Sequence, residues 1–160
     1  MMKYRLFAAT AITAVLLAGC GTDNPEYPPA STALTAGTGA LSATIHGVVV
    51  GKGTLWCALH TGPQQFPGAS PIVGGTRTQA AAADPLRCEF DKLPAGTYAI
   101  SVYQDEDDNG ELDTNVFGAP TEGYGASRNA LPATSAPTFE ENSVSLSDGQ
   151  HLAVDITLRN

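Results

Sequence analysis

After residue 40, apolar and polar positions alternate with a period of two over several short stretches, and no stretch keeps a 3.6-residue period. Leu41–Val50 reads as a first strand, ended by the turn Gly51-Lys52-Gly53. Thr54–His60 reads as a second, with Leu55, Cys57 and Leu59 on one face and Trp56, Ala58 and His60 on the other. Another strand begins near Thr76, and Ala80–Ala83 predicts a short helical turn stopped by Pro85. Leu86, Cys88 and Phe90 alternate with Arg87, Glu89 and Asp91. A tight turn over Leu93–Tyr98 then feeds a central strand. There Tyr98, Ile100 and Val102 alternate with Ala99, Ser101 and Tyr103, which predicts a half-buried strand. Ser143–Leu146 and the inward row Leu152, Val154, Ile156, Leu158 complete the set, joined by a turn at Ser147-Asp148-Gly149. Short strands between Gly/Pro turns predict an all-β, antiparallel sandwich of about seven strands over residues 41–160.

The pattern before that domain differs in kind. Lys3 and Arg5 precede an apolar run, Leu6–Leu17, which at about 12 residues is shorter than the roughly 20 needed to span a bilayer. Leu17-Ala18-Gly19-Cys20 ends the run and resembles the bacterial lipobox, whose cysteine is lipidated and becomes the mature N-terminus. The expectation is a signal peptide over residues 1–19, lipidation at Cys20, and a Pro-, Thr-, Ala- and Gly-rich tether to residue 40. Several acyl chains would hold the protein stably at a bilayer. Gly21 after the cysteine resembles sorting to the outer membrane.

An exported domain meets an oxidising compartment. Cys57 and Cys88, each on the apolar face of a predicted strand, are therefore expected to form a disulfide.

The candidate chemistry follows the central strand. Asp105, Glu106, Asp107, Asp108, Glu111 and Asp113 place six of the chain's 16 acidic residues in one short loop. Like charges this close cost stability unless something offsets them. Asp105, Asp107 and Asn109 stand at alternate positions before Gly110, the opening of a calcium loop, in which oxygens alternate around a hard cation. The position of the bidentate glutamate in an EF-hand is held by Val116. The candidate ligands are the side chains of Asp105, Asp107, Asn109 and Asp113, with the carbonyl of Glu111. An Asx-rich turn that solvates its charge is the open alternative.

Downstream, Gly118, Pro120, Gly123 and Gly125 break the chain into turns that carry Glu122, Tyr124, Ser127, Arg128 and Asn129. This stretch is neither a phosphate loop nor a nucleophile elbow. Two readings stay open: a small recognition surface, or turn hydrogen bonds with Arg128 paired to the acidic loop.

The run D-x-D-x-N-G-x-L-D-T-N-x-F-G-x-P-x-E-G-Y-G-x-S-x-N-A, residues 105–130, resembles the signature of a bacterial family of small secreted β-sandwich proteins, a domain of unknown function. Pro137-Thr138-Phe139 is similar to that family's P-x-F run, and Leu93-Pro94-Ala95-Gly96-Thr97-Tyr98 is similar to turns of transthyretin-like sandwiches. Gln104 stands where the family usually has histidine and Ala126 where it has an aromatic. The resemblance implies a transthyretin-like or immunoglobulin-like sandwich and no particular activity.

Charge narrows the function classes. The formal net charge is −8, and removing Lys3 and Arg5 with the leader takes it to −10. Such a chain avoids nucleic acid. His46, His60 and His151 are scattered over three predicted strands with no zinc spacing, and Trp56 reads as packing rather than a sugar platform. No motif points to an organic cofactor. The expected function is a non-catalytic, lipid-anchored envelope protein with an interaction or structural role, stabilised by calcium and meeting an envelope protein or ligand. An envelope enzyme, or enzyme accessory, with its site at Glu122–Asn129 is the alternative.

Overall fold

A computed structural model describes residues 36–68 and 76–160. The signal peptide, Cys20, the tether up to residue 35 and the loop 69–75 lie outside the described residues. Eight strands run in order: β1 Gly39–His46, β2 Thr54–His60, β3 Thr76–Ala80, β4 Leu86–Leu93, β5 Gly96–Asp105, β6 Tyr124–Ala126, β7 Val144–Leu146 and β8 His151–Thr157. They form two sheets, β4-β1-β8 and β3-β2-β5-β6, with β7 pairing the first residues of β5. The expected all-β sandwich is borne out.

One pairing is not antiparallel: β8 runs parallel to β1, with Ala40 beside His151 and Ile45 beside Ile156. Both strands start at the same pole. Gly37 N–H bonds the Lys92 carbonyl there, and Ala40 N–H bonds that of Gln150. The turn after β7 carries the chain from the second sheet to the first at this pole, so β8 sets off in β1's direction.

The core lies between the sheets. Leu41, Ala43 and Ile45 of β1, Cys88 and Phe90 of β4 and Ile156 of β8 meet Leu55, Cys57 and Leu59 of β2 and Tyr98, Ile100 and Val102 of β5. The Cys57–Cys88 disulfide joins β2 to β4 across this core, with Cα atoms 6.6 Å apart. Leu152 and Val154 are only partly buried at its margin. Gly125 lets β6 close on β8: a Cβ there would stand 2.6 Å from Ile156 Cγ2.

Three expectations are corrected. The first strand ends at His46 rather than Val50, because Gly47 turns at φ +81° and Gln104 captures Val49 N–H (2.9 Å) and its carbonyl (2.8 Å). No helical turn forms at Ala80–Ala83: Ala80 ends β3, and Ala81 N–H and carbonyl bond the Gly51–Gly53 turn. The central strand is not half-buried. Every residue from Tyr98 to Asp105 is buried, because 61–68 and 127–142 cover the face away from the core. In that cover Phe66 meets His60 and Phe139 edge-on. Phe139 begins an unforeseen one-turn helix, α1 (Phe139–Asn142), capped by the Thr138 hydroxyl.

Candidate functional site: the carboxylate loop

β5 ends at Asp105, whose side chain is 1 % exposed. Its carboxylate turns inward and accepts from Asn109 N–H (3.0 Å) and Gly110 N–H (2.8 Å), which curls the chain back within five residues. Asp107 Oδ1 also accepts from Asn109 N–H, at 3.2 Å. Asp108 and Gly110 take the positive φ values, 60° and 86°, that the curl needs. Asn109 Oδ1 accepts from Glu111 N–H (2.8 Å) and its Nδ2 donates to Asp113 Oδ1 (3.1 Å).

A short hairpin then returns the chain. Thr114 bridges Pro120, and Thr121 N–H bonds the Asp113 carbonyl. Asn115 holds the apex: its Oδ1 accepts from Phe117 N–H (2.9 Å) and Ala119 N–H (3.1 Å). Val116 and Phe117 stand at that apex 94 % and 91 % exposed. The return brings Glu122 beside the strand end it left, only 6 % exposed. Its two oxygens accept from Glu106 N–H (2.7 Å) and Asp113 N–H (3.0 Å) and so tie the two ends of the loop together.

Oxygens of Asp105, Asp107 and Glu122 lie within 4.8 Å of one another. Each oxygen that accepts one N–H keeps a lone pair, so three carboxylates remain able to bind a hard cation. Among the described residues the loop makes one ion pair, Lys52 Nζ to Glu106 Oε2 at 2.9 Å. Tyr103 lies under the loop and donates to the Gly110 carbonyl (3.3 Å). Burial first, then Asp105, Glu122 and Glu111, push its phenol up to about 12, so it remains a donor.

Of the expected carboxylate ligands, Asp105 and Asp107 fall in the cluster and Asp113 does not. Asn109 and Asp113 bond each other, Glu111 is exposed, and Glu122 takes the third place. Sequence reasoning put Glu122 in a separate recognition block, since 16 residues part it from Glu106. The available signal was the N-x-F-G turn, which makes 113–121 a hairpin and returns Glu122 to the start of the loop.

The rest of that block serves other ends. Ser127 is buried, its hydroxyl accepting from Ile100 N–H and donating to the Asn142 carbonyl. Asn129, at φ 56°, bonds Thr157 N–H and the Asp155 carbonyl of β8. Arg128 is exposed and, among the described residues, makes no ion pair with the acidic loop. Tyr124 is half-buried beside Arg159, whose guanidinium lies 6.0 Å from its ring and donates to the Leu131 carbonyl (2.7 Å). No motif in the sequence points to this role of Arg159. Trp56 stacks on Tyr103, centroids 5.9 Å apart.

These features define a disulfide-bridged all-β sandwich with a buried carboxylate pair at the pole opposite the start of β1. The chain belongs to the bacterial family DUF2141, an uncharacterized protein conserved in bacteria, whose model matches residues 43–153, from β1 into β8. It is a domain of unknown function, the kind that the 105–130 block resembles. No curated protein and no solved structure matches the chain.

Proposed function

We propose that this chain is a lipid-anchored β-sandwich of the bacterial cell envelope, held at the outer membrane through Cys20, whose distal loop binds calcium and presents Val116–Phe117 to an envelope partner. The observation that carries the reading is the meeting of Asp105, Asp107 and Glu122 oxygens within 4.8 Å, two of these residues buried. A divalent cation offsets that repulsion and sets the hairpin that carries the apolar tip. Adjacent large apolar side chains on an ordered apex suit a contact surface better than a solvated turn. The loop that carries the tip starts at the end of β5, at the pole opposite Gly39. An enzyme at Glu122–Asn129 is less well supported, because Glu122, Ser127 and Asn129 bond backbone groups of the fold itself.

Without the glutamate of an EF-hand the site is weak, with Kd on the order of 10⁻⁴–10⁻³ M. Millimolar calcium should raise the melting temperature of the mature domain. Asp107→Ala, at an exposed position, should abolish that rise, and without calcium should melt at or above the parent, because a like charge is removed. A melting curve indifferent to calcium would reduce the loop to a solvated turn and leave the function to the apolar tip.

A further inference from the structure

A second feature lies on the outer face of the second sheet, with no carboxylate among its described lining residues. A cavity of about 240 Å³ opens there, walled by Pro67, Tyr103, Leu112, Tyr124 and Pro137, with Ser101 in its lining. The walls are almost wholly apolar, and among the described residues no charged side chain lines them. Behind Ser101 is His60, fully buried, its Nε2 2.8 Å from Ser101 Oγ. Its other nitrogen, Nδ1, is buried with no hydrogen-bond partner among the described residues. A buried polar pair with one nitrogen orphaned is costly where packing alone is required; two apolar residues would fill the space more cheaply.

We propose that this cavity is a binding site for a small, uncharged, one-ring ligand bearing a single hydroxyl or carbonyl group, which hydrogen-bonds Ser101 Oγ. The size fits, since a dry cavity of about 150 Å³ accepts benzene, and 240 Å³ leaves room for a substituted ring. Apolar walls with a few placed polar atoms are the usual construction of a small-molecule site. The ligand is uncharged because none of the described lining residues would offset a buried charge.

The His60–Ser101 pair makes the polar contact adaptable. Burial holds His60 down to about 4, so the imidazole is neutral and carries one proton. With the proton on Nε2, that N–H donates to Ser101 Oγ and frees the serine hydroxyl to donate to a ligand carbonyl. With the proton on Nδ1, the serine donates to Nε2 and its oxygen accepts from a ligand hydroxyl. The pair binds and does not catalyse. A serine–histidine nucleophile needs an acceptor on Nδ1 to orient the imidazole, and Nδ1 has none among the described residues. β5 is also paired along both edges at Ser101, so its backbone offers no oxyanion site.

The test is a heteronuclear NMR titration of the mature domain in EDTA, with p-cresol as probe and toluene as the control lacking the hydroxyl. p-Cresol should shift the Ser101, Val102 and Gly125 amides saturably below about 10 mM, the range open to a fragment of about eight heavy atoms. Toluene should bind the same amides roughly 3- to 10-fold more weakly, the ratio one neutral hydrogen bond supplies. Ser101→Ala should bring p-cresol to the level of toluene without weakening toluene. Leu112→Trp, on the loop, should fill the cavity and abolish both. No saturable shift at those amides, an unchanged preference in Ser101→Ala, or binding that survives Leu112→Trp would each overturn the assignment.

Discussion

Glu122→Gln separates the two tasks that the geometry gives this side chain. One oxygen accepts from Glu106 N–H at 2.7 Å and the other from Asp113 N–H at 3.0 Å. Glutamine keeps one acceptor and turns an amide against the other N–H, losing one charge-assisted bond, about 1.5–3 kcal/mol. It also removes a negative charge within 4.8 Å of Asp105 and Asp107 oxygens. At an effective dielectric of about 20 that relief reaches roughly 3 kcal/mol per pair. Without a cation the relief matches or exceeds the lost bond, so the variant should be at least as stable as the parent. Calcium acts on the parent alone. At a concentration about 10 to 100 times Kd it stabilises the parent by roughly 1.4–2.7 kcal/mol and the variant by little. For a domain of this size that is a melting shift of roughly 5–12 °C, present in the parent and absent in the variant. Paired melts in EDTA and in calcium read the difference directly. If calcium raises both proteins equally, Glu122 is a hydrogen-bond staple alone and the ligand set is wrong.

Four other outcomes follow from the same coordinates and sequence. Cys20→Ser should move the protein from the membrane fraction to an unprocessed or soluble form; unchanged processing and membrane retention would exclude lipidation as the tether. Breaking the Cys57–Cys88 bond, which closes a separation of 31 residues, should cost about 3–4 kcal/mol in the chain-entropy model. Alkylation of the denatured, unreduced domain should find neither thiol. His60 gives acid sensitivity: burial depresses it from 6.5 to about 4, so the unfolded chain takes up the proton first, and stability present above pH 6.5 is lost as pH falls toward 4. From pH 7.5 to 4.5 the contribution is about 2–3 kcal/mol, and urea midpoints of His60→Phe against the parent should show that slope removed. Phe117→Ser should leave stability within about 0.5 kcal/mol, because the ring is 91 % exposed; a larger loss would mean the tip packs on its own domain.

The fold was legible where one physical rule governs a segment. Thr54–His60 was read with its observed bounds, because alternation and a glycine turn agree there. β6 was invisible: three residues, two of them Tyr124 and Gly125, have no periodicity of their own and pair only because β5 offers an edge. The parallel β1–β8 pair was equally hidden, since strand direction depends on where the chain crosses between sheets and not on side-chain pattern. The full burial of β5 came from segments with no strand pattern, 61–68 and 127–142, which cover it through Phe66 and Phe139.

Glu122's place beside Asp105 and Asp107 was hidden for a related reason. Polar residues were sorted by nearness in sequence, whereas the fold sorts them by which backbone groups lack partners. Gln104, Glu122, Ser127, Asn129 and Asn142 each bond main-chain groups on a different element or turn. A chain made of short strands and long turns leaves many N–H and C=O groups without a ladder, and buried ones must be satisfied. Polar side chains in the 105–130 block and its flanks largely meet that need. Gln104 accepts from Val49 N–H and donates to the carbonyls of Val49 and Lys52. A histidine has one ring nitrogen to accept and one to donate, so at this position it would meet at most two of those three contacts. Glutamine therefore fixes the Gly47–Gly53 turn more fully than a histidine would. The groups that the fold leaves without such a backbone task, among the described residues, are few: the carboxylate lone pairs, the Val116–Phe117 apex, Arg128 and the lining of the cavity over Ser101.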